Sequence, residues 1–274
     1  MSDATIVVTN DDGIESPGLH RLVSALEPLG EVVVVAPASN KSAVGRSIEA
    51  TAEYEEHDLG YAVHGSPATC AVASVTAFDL DPDIIVSGIN KGANLGAPVL
   101  ARSGTIGAAI EAAYLGIPAI AVSAYVPFER IQGDFHEFSL EATEYAPAAT
   151  TAQLLTDAVL DNGHRIEVDY FNVNAPLKSD LRGDELRFTV PAPGYHTNAD
   201  RDDGQILLRD KQFELLHTGE LNTTDGTDRS VLSEGYISIS PLRLTEIAST
   251  AVDQEGIGRQ LFGDGPWRLP EVAE

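Results

Sequence analysis

The sequence predicts an α/β fold: a three-layer, Rossmann-like and mostly parallel sheet with helices on both faces. Short runs of β-branched residues, such as 5–9 and 31–36, alternate with segments of helical spacing, and strands that alternate with helices of about 10 to 15 residues are typical of parallel βαβ units. The run at 31–36 is also apolar at successive positions, as in strands that are buried on both faces.

The first half of the chain supplies these elements in a regular order. Apolar residues at helical spacing predict a helix over 18–29. An alanine-rich segment predicts another over 103–115, with Ser103 as its N-cap. The other elements predicted in this half are a helix over 66–78 and strands over 83–87 and 118–123.

The second half has a different pattern, in which one long helix is followed by short strands between turns rich in Asp, Gly and Asn. The predicted elements are a helix over 139–160 and strands over 166–173, 186–190, 206–208, 213–216 and 236–240. We interpret this part as a β-rich, arm-like C-terminal region. The predicted organisation is a Rossmann-like core with the site over 1–135, followed by the remaining core helix and strands and extended oligomerisation arms over 136–274.

The charge balance is strongly acidic. Asp and Glu total 42 against 17 for Lys and Arg, which gives a net charge of −25, and the acidic residues are spread along the chain. Such self-repulsion destabilises a fold unless salt screens it, and in molar salt the Debye length falls to about 3 Å. The composition therefore predicts a salt-adapted protein, and the lack of a basic stripe excludes long nucleic acid as a partner.

Sequence composition also bears on the cellular compartment in which the protein is expected. No apolar run reaches the roughly 18 residues of a membrane span, and no basic, apolar leader is visible at the N-terminus. The lone Cys70 excludes a disulfide framework and a cysteine-based zinc cluster. We expect a cytoplasmic protein without a membrane partner.

Asp11 and Asp12 follow the first predicted strand in the turn Asn-Asp-Asp-Gly. Adjacent carboxylates repel each other by about 1 kcal/mol at 4 Å in water, and by more in a partly dry cleft. A proton on one of them, or a cation between both, relieves this repulsion. The pair is therefore a candidate site for a hard divalent cation, although the tetrapeptide alone is more typical of an ordinary turn.

A glycine-rich segment over 87–96 follows another predicted strand. Its three glycines permit close approach of the backbone, and Asn90 and Asn94 offer amide oxygens and N–H groups. The segment matches neither the dinucleotide-binding fingerprint nor the phosphate-binding P-loop. Taken alone, it is more simply a structural loop.

Ser103, Gly104 and Thr105 begin the alanine-rich helix. The free N–H groups of a first helical turn, two hydroxyls and the helix dipole suit a phosphate, while an ordinary capped helix is the alternative. A polar loop over 37–42 follows the second strand. Since parallel sheets bind ligands at the carboxyl ends of their strands, all these segments are expected at one edge.

In their order and spacing these segments strongly resemble the SurE family of metal-dependent 5′-nucleotidases, also called stationary-phase survival proteins. The resemblance covers most of residues 5–245 and is carried by segments 9–13, 34–42, 87–96, 103–105 and 234–241. Ala43 departs from the family pattern, which usually has glycine after the ligand serine. Ala93 likewise stands in place of the usual proline.

The resemblance implies one divalent metal ion per subunit, Mg²⁺ or Mn²⁺. The implied metal ligands are Asp11, Asp12, Ser42 and Asn90. The implied phosphate and substrate contacts are Asn94, Ser103, Gly104 and Thr105. A homodimer or homotetramer joined through C-terminal arms is also implied.

The implied reaction hydrolyses nucleoside 5′-monophosphates to nucleoside and phosphate, with Asp11 and Asp12 as catalytic residues. One of the two would orient or deprotonate the attacking water, and our choice between them is Asp11. A broader polyphosphate or phosphomonoester phosphatase and a non-catalytic nucleotide-binding module remain alternatives. The sequence lacks Gly-x-Ser-x-Gly and His-Glu-x-x-His, which argues against a serine hydrolase and a metalloprotease. The contiguous aspartates also differ from the Asp-x-Asp of aspartyl-phosphate phosphatases.

Overall fold

The structure is a computed structural model of the 274-residue chain. The residues that it describes are 4–131, 138–162, 167–183, 185–194, 196–202, 204–211, 215, 218 and 223–244. The chain divides into two compact units, residues 1–242 and 243–274. The fold is that of the first unit, since only Arg243 and Leu244 of the second are described.

A mostly parallel sheet forms the centre of this unit. Its strands are β1 (Thr5–Thr9), β2 (Glu31–Pro37), β3 (Tyr54–His57), β4 (Gly60–Val63), β5 (Ile84–Lys91), β6 (Ala119–Tyr125), β7 (Tyr170–Pro176), β8 (Leu186–Phe188) and β11 (Ile237–Leu242). Among the described residues these nine strands are ordered β3-β4-β2-β1-β5-β6-β7-β11-β8. The strands from β4 to β7 run parallel, and β3, β11 and β8 run antiparallel to them. The α/β prediction is confirmed.

Helices cover both faces of the sheet. They are α1 (Pro17–Leu26), α2 (Pro67–Thr76), α3 (Ala97–Leu100), α4 (Gly104–Tyr114), α5 (Ala146–Asn162) and α6 (Asp228–Ser233). The helices α1 and α5 pack on one face, and α2 and α4 pack on the other, so the three-layer arrangement is also confirmed. Three of the helices begin at a serine whose hydroxyl accepts a first-turn N–H, namely Ser16, Ser66 and Ser103.

The main hydrophobic core lies between the sheet and the helices α1 and α5. Alternate strand residues supply its sheet side, among them Ile6, Val8, Ile84, Val86, Ile120, Val122, Phe171, Val173 and Ile239. Each such side chain contributes roughly 1.5–3 kcal/mol when it is removed from water. This face therefore fixes the register of the strands that hold the site.

A separate antiparallel hairpin is formed by β9 (Thr197–Asp202) and β10 (Gln205–Asp210). Ile206 and Leu208 are 71% and 72% exposed on it. The strand predicted over 206–208 is thus present and belongs to an antiparallel hairpin with exposed apolar residues.

Several predicted boundaries differ from the structure. The first helix ends at Leu26 and continues as a 3₁₀ turn over Glu27–Leu29, because Pro28 has no N–H to extend the α-helix. The strand predicted over 166–173 begins at Tyr170. The strand predicted over 213–216 is wrong at Leu215, which is helical and donates its N–H to Lys211 O at 2.9 Å; the rest of that segment lies outside the described residues.

The edge hairpin of β3 and β4 was not predicted, and it extends the sheet beyond β2. The predicted domain boundary at residue 135 lies outside the described residues. Across it the sheet is continuous, since β7 pairs with β6. None of the helices in the described part of the chain is long and apolar enough to cross a membrane.

Candidate metal and phosphate site

The turn after β1 is organised by Asn10, which is fully buried. Its amide donates to Gly13 O at 2.9 Å and to Ser16 Oγ at 2.7 Å, and its Oδ1 accepts the Gly13 N–H at 3.1 Å. Gly13 has a φ of +100°, which glycine adopts without strain. The turn therefore holds the two following aspartates at the carboxyl edge of the parallel strands.

Asp11 is a buried carboxylate, 4% exposed, that lies against the start of α4. Its Oδ1 accepts the Thr105 hydroxyl at 2.7 Å. A Cβ on Gly104 would lie 2.9 Å from the Asp11 Cβ and 3.0 Å from Oδ2, so only glycine permits this contact. Burial, followed by the charge of Asp12, raises the pKa of Asp11 to about 7.

Asp12 joins three segments of the site. Its Oδ2 accepts the main-chain N–H of Lys91, at the end of β5, at 2.8 Å. Its Oδ1 accepts the side-chain amide of Asn40, in the loop after β2, at 3.4 Å. The carboxyl ends of β1, β2 and β5 therefore meet at this residue.

The loop that contains Ser42 is held against the same turn. The Lys41 N–H donates to Asp11 O at 2.7 Å, and the Ser42 N–H donates to Asn40 Oδ1 at 2.9 Å. Ala43 follows with a φ of +62°. The main chain next to Ser42 is thus held against the turn that carries the aspartates.

Further along the same loop, Arg46 binds two residues of α4 and so holds the loop against this helix. Its guanidinium forms an ion pair with Glu111 and lies 4.9 Å from the centre of the Tyr114 ring. A Cβ on Gly107 would lie 3.2 Å from the Arg46 Cα, so this glycine lets the loop cross the helix closely.

The strand β5 has an irregularity just before Asn90. Ser87 pairs with Ala121 and Asn90 pairs with Ser123, so β5 has one more residue than β6 in this interval. The extra residue places Asn90 on the same face of the sheet as Ser87. The Asn90 amide N–H donates to Gly92 O, a bond that does not use its Oδ1.

Asn94 is held by the next two strands of the sheet. Its main-chain N–H donates to Asn174 Oδ1 at 2.7 Å, and its carbonyl accepts the Asn172 and Asn174 amides at 2.9 and 3.0 Å. Its side-chain amide donates to Ser123 Oγ at 2.9 Å. The sequence analysis named Asn94 as a candidate but did not name Asn172 and Asn174, the two asparagines of β7 that bind its main chain. Their alternation with apolar residues in a buried strand could have indicated that they have a structural role.

The start of α4 combines an ordinary cap with contact to the aspartates. Ser103 Oγ accepts the Ile106 N–H at 3.2 Å, which is the predicted N-cap. The Thr105 hydroxyl and its main-chain N–H both bind Asp11, and the N–H of Gly104, in the same first turn, is a donor that suits an anion here.

The donor set fits a hard divalent cation. Two carboxylates, one hydroxyl and one amide carbonyl are oxygen ligands of the kind Mg²⁺ and Mn²⁺ prefer. Burying an uncompensated charge is costly, and a cation between the buried Asp11 and Asp12 would compensate both carboxylates. In the described part of the chain no group of three or more His, Cys, Asp or Glu could hold a metal, so a cation site at Asp11 and Asp12 would also use neutral oxygens, of which Ser42 and Asn90 offer a hydroxyl and an amide carbonyl.

Fold and site together define an α/β protein with an acidic, oxygen-rich site at the carboxyl edge of its sheet, next to a helix N-terminus. The chain belongs to the SurE family: the family model described as Survival protein SurE matches residues 6–196.

Curated relatives are similar over most of their length. Three named 5′-nucleotidase SurE are 43% identical over 237 residues (Natronomonas pharaonis), 41% over 242 (Haloarcula marismortui) and 45% over 238 (Halobacterium salinarum). The matches cover 86%, 88% and 86% of this chain and 91%, 89% and 90% of the relatives. All three come from halophilic archaea, which supports the salt adaptation predicted from the charge.

The fold also matches a solved structure. The crystal structure of SurE protein from Aquifex aeolicus is 30% identical in sequence and superposes with a TM-score of 0.69. The match covers 94% of this chain and 99% of that one.

Proposed function

We propose that this protein is a divalent-metal-dependent 5′-nucleotidase that hydrolyses nucleoside 5′-monophosphates to nucleoside and phosphate. The curated relatives carry the name 5′-nucleotidase SurE. The observation in this chain that carries the proposal is the buried Asp11, which lies beside Asp12 and against the first turn of α4. A cation ligand and a phosphate-binding helix start are thereby adjacent.

Asp11, Asp12, Ser42 and Asn90 would hold Mg²⁺ or Mn²⁺ in this proposal. A divalent cation bound there supplies charge stabilisation at the phosphoryl group and lowers the pKa of a bound water. Asp12 is kept in place by the Lys91 N–H.

Asp11 orients or deprotonates the water that attacks phosphorus. The Thr105 hydroxyl fixes the direction of its carboxylate through the 2.7 Å bond to Oδ1. General-base catalysis of this kind contributes about 10²- to 10⁴-fold. General-base catalysis depends on orientation, and Thr105 orients the Asp11 carboxylate through both its hydroxyl and its main-chain N–H.

The phosphate is bound by Ser103, Gly104 and Thr105 at the start of α4 and by Asn94. N–H groups of a first helical turn stabilise negative charge as it builds on the phosphoryl oxygens. Asn94 approaches from the loop after β5, with its backbone fixed by β7. These contacts recognise the phosphate and not the base.

The active enzyme is a homodimer or homotetramer in this proposal, assembled through the C-terminal arms. The exposed Ile206 and Leu208 of the β9–β10 hairpin support it, because clustered apolar side chains on a surface are typical of protein contacts.

The decisive experiment measures phosphate release from a panel of nucleoside 5′-monophosphates in molar KCl, with Mg²⁺, with Mn²⁺ and with a chelator. We expect release only with a divalent ion, and a loss of about 10²- to 10⁴-fold in Asp11→Asn. Asp58→Asn, an exposed aspartate in the turn between β3 and β4, is the matched control and should be fully active. Saturable nucleotide binding without metal-dependent release would falsify the proposal and favour a binding module.

A further inference from the structure

Asp228, the first residue of α6, is a fully buried carboxylate far from the proposed metal ligands in sequence. Its Oδ2 accepts the Gly96 N–H at 2.7 Å. Its Oδ1 accepts the N–H groups of Ala192 at 2.9 Å and of Arg229 at 2.8 Å. Both oxygens are thus used as acceptors, and they tie α6 to the loop after β5 and to the segment after β8.

The Arg229 side chain packs against Gly96 and binds the segment after β8. Its guanidinium donates to Pro193 O at 3.3 Å and to Gly194 O at 3.2 Å. A Cβ on Gly96 would lie 2.3 Å from the Arg229 Nη2, so the arginine lies directly against the glycine backbone. Gly96 has little room to move at this junction.

The segment from Asn94 to Gly96 is therefore held at both ends. Asn174 fixes the main chain of Asn94, and Asp228 fixes the N–H of Gly96. Only Leu95, which is fully buried, lies between the two anchors. The proposed metal ligands lie in other segments: the turn after β1, the loop after β2 and the end of β5.

We propose that Asp228 is a positioning residue for substrate phosphate: by fixing Gly96 it holds Asn94 at the position from which it contacts the phosphate. The inference rests on the proposed role of Asn94. A shift of about 1 Å in a substrate-positioning group can cost about a hundredfold in rate. An asparagine at position 228 would lose one acceptor and direct an N–H₂ group at one of three main-chain N–H donors.

The test compares Asp228→Asn with Asp225→Asn, a matched control three residues earlier on an exposed turn. Four quantities are measured: kcat and KM for a nucleoside monophosphate, the inhibition constant of inorganic phosphate, Mn²⁺ affinity and the melting temperature. We expect Asp228→Asn to raise KM and the phosphate inhibition constant about tenfold or more, with Mn²⁺ affinity within about twofold of the parent. Asp225→Asn should match the parent in all four.

Unchanged KM and phosphate inhibition in a folded Asp228→Asn protein would overturn the inference. So would a parallel loss of Mn²⁺ affinity, because that outcome marks general structural support. If Asp228→Asn does not fold, Gly96→Ala decides instead, since its Cβ meets Arg229: selectively weaker phosphate binding supports the inference, and unchanged phosphate binding contradicts it. If the parent releases no phosphate, the proposed function fails, but binding of inorganic phosphate to the Mn²⁺-loaded protein still tests Asp228.

Discussion

The two faces of β7 have opposite chemistry although both are buried. Phe171 and Val173 point into the hydrophobic core under α1 and α5. Asn172 and Asn174 lie on the other face, where their amides bind the main chain of Asn94. One strand thus stabilises the fold with one face and positions a candidate substrate loop with the other.

The neighbouring strand β11 repeats this division. Ile237 and Ile239 belong to the core, whereas Ser238 and Ser240 each lie 2.8 Å from the Thr189 hydroxyl. In both β7 and β11, therefore, apolar residues face the core and the alternating polar residues bind neighbouring segments. The difference between the faces can be tested by perturbing each in turn.

The largest expected effect concerns Asp11, on the α4 side of the sheet. Its folded pKa of about 7 lies above the ordinary value of 3.8, so between these values the folded state binds more protons than the unfolded state. In metal-free protein this makes the free energy of unfolding fall as pH rises from 4 to 7, by up to about 1.4 kcal/mol per pH unit. The contribution is fully present at low pH and is lost above pH 7.

Urea unfolding with chelator at constant molar KCl, from pH 5 to pH 8, measures this effect. The free energy of unfolding of the parent, relative to that of Asp11→Asn, should fall as pH rises and level off above 7, because the neutral amide does not titrate. Parallel curves for the two proteins would contradict the raised pKa. Adding Mn²⁺ to the parent should reverse the trend, since a cation favours the ionised carboxylate.

The next effect compares adjacent residues on opposite faces of β7. Val173→Ala removes two buried carbon atoms and should cost roughly 2 kcal/mol of stability, from lost transfer energy and the cavity left behind. Its kcat/KM per folded molecule should stay within about twofold of the parent. Asn174→Ala should cost about 1–3 kcal/mol, because it leaves the Asn94 N–H unpaired.

The distinguishing measurement for this pair is steady-state kinetics alongside urea unfolding. Asn174→Ala should raise the nucleotide KM about tenfold, while Val173→Ala should not. If both variants lose stability and neither changes KM, the prediction that only the Asn174 face of β7 affects substrate binding is wrong.

The smallest effect concerns Ala43, in the loop beside Ser42. Its φ of +62° lies in the left-handed region, which costs a residue with a Cβ roughly 1–2 kcal/mol. Ala43→Gly relieves that strain but gives the unfolded chain more freedom, so we expect a gain of less than about 1 kcal/mol. Thermal melting of both proteins in molar KCl measures it, and a clear loss of stability would contradict the argument.

Local sequence patterns predicted most of the central sheet. The β-branched runs of β1 and β2 and the serine cap of α4 are determined by residues a few positions apart, so they can be recognised without the rest of the fold. The edge hairpin was missed because Tyr54–His57 carries two adjacent glutamates and lacks the usual strand alternation. Leu215 was misassigned because a short apolar run does not separate helix from strand.

The segments of the candidate site could be proposed from the sequence because together they resemble the SurE family, which implied their roles, but the residues that support them could not. Asp11 and Asp12 stand together in a turn. In contrast, Asn174 and Asp228 contact Asn94 and Gly96 across 80 and 132 positions of the chain. Such contacts depend on strand order, which local spacing does not contain. The roles proposed for the ligand residues remain predictions.

The bond from Asp228 to Gly96 also has a consequence for biosynthesis. A ribosome that adds about 5 to 20 residues per second needs on the order of ten seconds to pass from one partner to the other. During that interval the N-terminal strands can already pair, whereas the loop that carries Asn94 first lacks both of its anchors and, once Asn174 has been made, still lacks Asp228. We therefore expect nascent chains to become competent for nucleotide only after Asp228 has been synthesised, well after their sheet has begun to form.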